Sequence, residues 1–361
     1  MQDWILPPSL AFIRLDCLIC KPHQRGLIMP AIIQMTQLRE IGQWVRLTFP
    51  HPSPLAWVAL AIVLMIDGIW IYFGGYQILP SSLINLSLGA ICIIMLMGFI
   101  LYGRGRDDLQ GIVNWASAML FAIPFSIASV ILSYLAVTTN LPLVDTHLAA
   151  FDQALGFNWL GLMDFANYHT TFGHLTSTIY RTTFAELALI VLFLGLTKRA
   201  KAMRELIDVY WITLLLMILF SVFFPAVGPF AHYTPSLDRF PVVQPTAGMV
   251  FLPDYLALRA GTFHTFNFGA MQGIIEFPSF HAALALMMTW ALRQTPRLLI
   301  VGCIYNGLML FATLTEGGHY LSDVIVGSLI VCATIVLRHR LTRSKETARM
   351  TRPLQALRGF D

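Results

Sequence analysis

Charged residues are scarce in this sequence. Only 12% of its 361 residues are Asp, Glu, Lys or Arg, whereas a typical soluble domain has about 25%. The hydrophobic share is 57%, and the mean hydropathy is +0.70. This composition argues against a soluble globular domain and predicts a polytopic membrane protein. The net charge of +4 is small and dispersed, which argues against a nucleic-acid partner.

Cysteine is also rare, and its spacing indicates no disulfide framework. Cys17 and Cys20 form a C-x-x-C pair, but no second pair accompanies them, which argues against a zinc or redox motif. The other three cysteines lie in apolar segments, where a free thiol behaves as a small hydrophobic group. The sequence contains no internal repeat and no low-complexity tract.

The N-terminus lacks a clean signal peptide. Prolines and charges interrupt the apolar runs of the first 28 residues, so this stretch is neither a typical signal peptide nor a membrane span. Residues 1–50 are therefore predicted to be a poorly structured cytoplasmic leader. The alternative is that the chain begins later, at Met29 or Met35.

Long apolar segments recur along the rest of the chain and predict an all-α fold with about eight transmembrane helices. The first two, within residues 51–110, stand apart from a membrane domain at 111–340, and a basic tail follows at 341–361. The predicted spans are residues 55–73, 79–102, 112–138, 177–197, 206–227, 279–293, 298–315 and 321–338.

The distribution of basic residues predicts the orientation of these spans. Lys and Arg cluster after the second, fourth, sixth and eighth spans, which face one side if the chain alternates. The opposite connections are almost free of them, because 139–176 has none and 228–278 has only Arg239 and Arg259. By the positive-inside rule both termini are cytoplasmic. The outer loops are then 139–176, with one or two amphipathic helices at 141–167, and 228–278, which is long enough to form a cap.

Three ionisable residues then fall on the same outer face of the membrane. His319 and Asp323 are four residues apart, so on one helical turn the carboxylate could orient the imidazole and leave Nε2 basic. His281 follows Pro278 and the predicted N-cap Ser279, at a helix start where backbone N–H groups can bind an anion. The alternative for both places is an ordinary capped helix start at the membrane interface.

These residues lie in two motifs that resemble a known family. "PSFH" and, some 38 residues later, "GGHYLSD" resemble the second and third signature motifs of the type 2 phosphatidic acid phosphatase (PAP2) superfamily, P-S-G-H and S-R-x5-H-x3-D. The resemblance covers the third to eighth spans and is closest to the branch of inositol phosphorylceramide synthases and their bacterial relatives. It implies a six-helix PAP2-like core at 111–340, in a bacterial inner or plasma membrane.

The resemblance also implies roles for the motif residues. His319 matches the histidine that attacks phosphorus and becomes phosphohistidine, and Asp323 matches the carboxylate that orients it. His281 matches the general acid that protonates the leaving alkoxide and then activates the acceptor. No metal and no cofactor is expected in this chemistry.

The phosphate-binding arginines of the family are missing from their usual places. The Ser-Arg of the third motif corresponds to Ala312 and Thr313, and Phe280 stands at the usual glycine of the second. Since the transition state carries spread negative charge, other groups must replace them. The first candidate is Arg259, followed by Arg181, which could instead pair with Glu186, and then by Arg239; Ser279 and Gly318 are candidates inside the motifs. Glu316 could tune the pKa of His319, and His169, His174 and His232 are expected to be interfacial.

The leading interpretation is a lipid phosphatase or phosphotransferase with its active site on the extracytoplasmic face. Its partners are a lipid phosphate or phospholipid substrate and the bilayer itself. Hydrolysis and transfer to a lipid hydroxyl use the same three residues, so the motifs do not separate them. The alternative is a non-catalytic transporter or lipid-binding scaffold, for which Asp67, Arg181 and Glu186 are the only hints.

Overall fold

The computed structural model describes residues 52–243 and 247–357, and within them the chain is almost entirely helical. The predicted leader at 1–50 lies outside the described residues, as do the last four residues of the basic tail. A single pair of two-residue strands, β1 (Gln77–Ile78) and β2 (Thr265–Phe266), is paired in parallel.

The helices follow one another with short connections. In chain order they are α1 Pro54–Phe73, α2 Pro80–Gly103, α3 Gln110–Val137, α4 Asp145–Ala154, α5 Trp159–Tyr168, α6 Thr170–Arg181, α7 Thr183–Leu196, α8 Ala200–Phe223, α9 Gly228–Tyr233, α10 Ala247–Val250, α11 Leu252–Ala260, α12 Phe280–Ala291, α13 Pro296–Thr315 and α14 Leu321–Leu357. A short 3-10 turn covers Leu237–Arg239.

Six helical stretches in the described residues are long and apolar enough to cross a membrane, which confirms a helical protein with membrane-like segments. Two predicted spans take a different form. The span expected at 177–197 is the pair α6 and α7, which meet at an angle of 52°. The span expected at 279–293 is α12, an apolar helix of only 12 residues.

Helix α3 lies at the centre of the bundle and packs against α1, α2, α7 and α8. Of the most apolar 18-residue stretch of α3, 61% is buried inside the protein, against 22% for α1 and 6% for α2. The first two helices are therefore peripheral. Helix α12 packs against α13, α14, α8 and α7, and its first turn therefore lies inside the bundle.

The two segments that were predicted to be outer loops are structured. Residues 141–167 contain α4 and α5, as the amphipathic pattern predicts. The 228–278 segment contains α9, α10, α11 and β2, and the pairing of β2 with β1 attaches it to the connection between α1 and α2. Tyr134 of α3 packs beneath this segment, against Phe263 and Phe266.

Candidate active site

The two motifs meet where the first turn of α12 contacts the first turn of α14. Ser279 caps α12, because its Oγ accepts a hydrogen bond of 3.3 Å from the N–H of Ala282. The N–H of Ser279 donates to the backbone oxygen of Asp323 at 3.1 Å. A Cβ at Gly327 would collide with the Ser279 carbonyl, so glycine allows the two helices to approach this closely.

His319 lies in the turn between α13 and α14. The helix begins at Leu321, so the prediction that His319 and Asp323 share one helical turn is wrong. The contact forms nevertheless, because Asp323 in the first turn reaches back to within 3.3 Å of His319 Nδ1 and also accepts from the N–H of Tyr320 at 2.9 Å. Gly318 has a φ of 65°, which lets the chain turn sharply before His319.

The surroundings of His319 keep its ring neutral. The residue is 3% exposed, and burial lowers the pKa of its imidazole to about 4. Since Nδ1 faces carboxylate oxygen, Nδ1 is the nitrogen that carries the proton, and Nε2 keeps its lone pair. A neutral histidine held in this tautomer can act as a nucleophile.

His281 occupies the first turn of α12 and is held by aromatic rings. Its ring stacks on Tyr180 with centroids 4.5 Å apart, and Phe184 meets it edge-on at 5.8 Å. The Tyr180 hydroxyl lies 3.3 Å from His281 Nδ1. Because Nδ1 already has a partner, Nε2 is the nitrogen available for proton transfer.

Glu276 is a site residue that sequence reasoning missed. It is 6% exposed, and its Oε2 lies 3.4 Å from His319 Nδ1. Burial and the negative charges of Asp323 and Asp145 raise the pKa of the Glu276 carboxyl well above its usual value. The available signal was an acidic residue inside the apolar run "GIIEFP".

The same cluster has the donor types of a metal site. Ligand atoms of Glu276, His319 and Asp323 all lie within 4.8 Å of one another, and all three residues are buried. Two carboxylates and an imidazole suit a divalent ion such as Mn²⁺ or Fe²⁺. The Nδ1 atom of His319 can therefore carry a proton or coordinate a metal ion, and each of these excludes the other.

The candidate arginines are spread around the site. Arg181 lies nearest to the third motif, since its Nη2 is 3.7 Å from Glu316, three residues before His319, and its side chain is 64% exposed. Glu186, its expected alternative partner, accepts instead from Asn306. Arg259 donates to the Leu141 carbonyl at 3.0 Å.

The remaining outer candidates have other partners. Arg239 makes two hydrogen bonds to Asp164, of 3.0 and 2.6 Å. His232 lies against Tyr320 with ring centroids 6.3 Å apart, and His169 packs on Phe165 at 4.4 Å.

Two aspartates of α4 fix the turn that carries His319. Asp152 accepts from the N–H groups of Leu321 and Ser322, at 2.7 and 2.9 Å, and so caps α14. Asp145 accepts from the Tyr320 hydroxyl at 3.2 Å and from the N–H of Gly228 at 3.0 Å. Helix α4, which was predicted to lie at the membrane interface, therefore stabilises the turn that carries the third motif.

A cavity of about 640 Å³ opens beside the histidines. Glu276, His281 and His319 line its polar end, and the rest of the wall comes mainly from apolar residues of α3, α7 and α8. This arrangement suits an amphiphile with a polar head.

Comparison with known proteins agrees with this site. A family model described as the PAP2 superfamily matches residues 146–337, which is more than half of the chain. Searches among curated proteins and among solved structures found no match. The matched stretch includes His281, His319 and Asp323 and leaves α1, α2 and α3 outside, so it covers only part of the core predicted at 111–340. Together with the apolar helices it fits a membrane enzyme of the phosphatase type, and the chain belongs to the PAP2 superfamily.

Proposed function

We propose that this protein transfers the phosphoryl group of a lipid phosphate through a phosphohistidine at His319. The observation that carries the proposal is the position of His319: its Nδ1 faces Asp323, and its ring lies at the polar end of an apolar cavity that His281 also lines. A lipid phosphate has the matching division between a charged head and an apolar body.

The proposed reaction has two displacements. In the first, His319 Nε2 attacks phosphorus and the bond to the leaving oxygen breaks, while His281 donates a proton to that oxygen. Asp323 stabilises the positive charge that develops on the His319 ring. In the second, His281 takes a proton from water or from a lipid hydroxyl, whose oxygen attacks phosphorus and releases His319.

The negative charge of the transferring group needs a cation in this scheme. We assign this role first to Arg181, because its guanidinium is largely exposed and pairs with Glu316 close to the His319 turn. Arg259 is the second candidate. Ser279 is less suited to the role, since its hydroxyl and its N–H already have hydrogen-bond partners. The N–H of Gly318 and those of Phe280 and His281 at the start of α12 complete the proposed cradle, because the neighbouring N–H groups of both turns already donate within the protein.

The proposed topology has eight crossings. The bent pair α6–α7 counts as one crossing and the short α12 as another, which gives a six-crossing core from α3 to α14 with α1 and α2 added before it. Both termini are then cytoplasmic and the site is extracytoplasmic. Phosphatase and phosphotransferase chemistry both fit this site, because water and a lipid hydroxyl can each accept the phosphoryl group from His319.

The test is an assay of purified protein against a panel of lipid phosphates and phospholipids, with EDTA present. Free phosphate and new phospholipids are measured separately, so hydrolysis and transfer give different products. We expect turnover in EDTA by the unaltered protein and none above background for His319→Ala.

His174→Ala is the matched control, because His174 is an exposed outer histidine that the mechanism does not use. Turnover by His319→Ala equal to that of the control would contradict the phosphohistidine. Turnover that requires an added divalent ion would instead reassign Glu276, His319 and Asp323 as metal ligands.

A further inference from the structure

We propose that the hydrocarbon chain of the substrate lies inside the helix bundle, in the cavity between α3, α7 and α8, and that this cavity selects substrates by chain length. The inference rests on the proposed function, and it concerns a part of the cavity that is distant from the reacting atoms. We call this part the chain chamber; its wall is formed by the lining residues of α3, α7 and α8.

The chain chamber is deep. On α3 its lining extends from Ser133, near the outer segment, to Met119, a separation of 14 residues. A helix of that length rises about 21 Å, which is more than half of a bilayer hydrocarbon core of about 30 Å. Val191 of α7 and Leu206 of α8 line the cavity near the helix ends that lie away from the histidines.

Few polar groups in the wall of the chain chamber are free to bond water. The Ser126 hydroxyl is bonded to the Ala122 carbonyl and to Tyr210, and Ser133 donates to the Val130 carbonyl at 2.7 Å. These two hydroxyls are already satisfied within the protein. Ser129 also lines the cavity, and its buried Oγ has no hydrogen-bond partner in the described part of the chain, so it is one polar atom that remains for water. Since a buried water needs two to four polar partners, an apolar chain suits this space better than water does.

One side of the chain chamber faces the membrane. Ile123 and Ile127 of α3 and Phe184 of α7 line the cavity and are 40%, 44% and 60% exposed. The proposed lateral opening lies between α3 and α7 at these side chains. A chain can pass from the bilayer into the chamber through it while the phosphate stays at the histidines.

The consequence is a rate that depends on chain length. A short alkyl phosphate that is taken up as a monomer from water gains up to about fourfold in kcat/KM for each methylene that enters the chamber, from about 0.8 kcal/mol per methylene. A long chain that arrives from the bilayer gains less, because it leaves a medium that is already apolar. We expect kcat/KM to rise through butyl, octyl, dodecyl and hexadecyl phosphate, most steeply between butyl and octyl phosphate. Filling the chamber with a larger side chain lowers the values for the long substrates only.

The substitution test uses a matched pair. Ala122→Phe places a ring in the chamber, whereas Leu189→Phe places one on α7 at a side chain that is 65% exposed and outside the cavity. We expect Ala122→Phe to lower kcat/KM for hexadecyl phosphate at least about tenfold and for butyl phosphate less than about twofold. Equal losses for both substrates, or equal effects of both variants, would overturn the inference.

A labelling experiment decides the same question without turnover. The unaltered protein in bilayers is irradiated with hexadecyl phosphate that carries a diazirine at its chain end, and labelled peptides are identified. We expect label on the inner wall of α3 and α8, between residues 119–133 and 206–214, and competition by unlabelled hexadecyl phosphate. Label confined to lipid-facing surfaces, or equal chamber labelling by a diazirine hexadecanol, would refute a substrate chamber.

The two proposals fail in different ways. If no alkyl phosphate is turned over but the label still reaches the chamber, the phosphoryl-transfer mechanism fails and the chain site stands. If all chain lengths react at the same rate and the label stays outside, the mechanism stands and the chain site fails.

Discussion

At the scale of single residues, the His319 ring nitrogen has two carboxyl groups beside it. Asp323 Oδ2 lies 3.3 Å from Nδ1, and Glu276 Oε2 lies 3.4 Å from the same atom. One Nδ1 proton cannot serve two ionised carboxylates well, and two such charges would repel a phosphate. Asp323 is the better suited of the two to be the ionised, orienting group, because its Oδ2 also accepts a hydrogen bond of 2.9 Å from the N–H of Tyr320 at the N-terminal end of α14. Burial and neighbouring negative charges raise the pKa of the Glu276 carboxyl, which favours its neutral form.

The two carboxyl groups should therefore respond differently to replacement by their amides. Glu276→Gln exchanges one neutral group for another of the same shape, so we expect kcat/KM to fall less than about tenfold. Asp323→Asn removes the charge that orients and stabilises the His319 ring, so we expect a fall of at least about 100-fold. Steady-state assays of both variants with one lipid phosphate provide the measurement. A loss in Glu276→Gln as large as that in Asp323→Asn would mean that Glu276 is ionised and takes part in charge stabilisation.

The sequence predicted that the motif residues would lie close together, and they do; it marked Glu276 only as an acidic residue in an apolar run, without its contact to His319. Ser279 follows a proline and precedes an apolar run, which is a local signal for a cap, and His319 and Asp323 are close in sequence. Glu276 reaches His319 only because the 228–278 segment folds back over the bundle, and that path depends on contacts distant in sequence. The hydrogen bonds of Asp145 to Tyr320 and of Asp152 to the start of α14 were missed for the same reason.

At the scale of elements, the bend between α6 and α7 explains why one predicted span became two helices. No proline or glycine lies at the junction. Thr182 and Thr183 bond their hydroxyls to carbonyls of the preceding turn, at Thr178 (2.8 Å) and Tyr180 (2.6 Å). Such back-bonding bends helices, and it is difficult to read from hydropathy alone. The bend places Tyr180 at the end of α6, where it stacks on His281.

The contact between α12 and α14 makes a prediction at this scale. Gly327→Ala forces a methyl group against the Ser279 carbonyl, so we expect a loss of stability of roughly 1–3 kcal/mol. Because Ser279 would shift together with the first turn of α12, we also expect kcat/KM to fall at least about tenfold. Thermal unfolding in detergent and steady-state kinetics measure the two effects.

Gly307→Ala on α13 is the control for this experiment. A Cβ at Gly307 meets no atom within 4 Å, so alanine there should be neutral or stabilising by up to about 1 kcal/mol. If Gly327→Ala behaved like Gly307→Ala in both assays, close packing at Ser279 would not be needed to hold His281 in place.

At the scale of the whole molecule, the polar groups divide between two ends. The histidines, Glu276 and the capping aspartates lie at one end of the bundle. At the other end, helix termini are joined by charged contacts: Arg293 pairs with Glu205, and Arg338 lies 3.0 Å from Asp208 and 3.4 Å from Glu205. These pairs hold α8, α12 and α14 together at the end where the basic residues cluster, which the positive-inside rule assigns to the cytoplasm.

This division predicts which positions can be labelled from outside the cell. All five native cysteines must first be replaced: Cys92, Cys303 and Cys332, which are exposed on helices, and also Cys17 and Cys20. In that background, Ser236→Cys lies in the 228–278 segment, just before the turn Leu237–Arg239, and Lys201→Cys lies at the start of α8. Both positions are exposed, so their reactivity reports sidedness rather than burial.

We expect a membrane-impermeant maleimide to label Ser236→Cys in intact cells and Lys201→Cys only after the membrane is opened. The reason is electrostatic. Lys201 lies at the end of the bundle where Lys and Arg cluster, and such clusters resist translocation, whereas the 228–278 segment has only two arginines. The opposite pattern would place His319 on the cytoplasmic face and reverse the proposed access of substrate. Labelling of both positions in intact cells would mean that α8 does not cross the membrane. Because α8 forms part of the wall of the chain chamber, this result would also contradict a chamber within the bilayer.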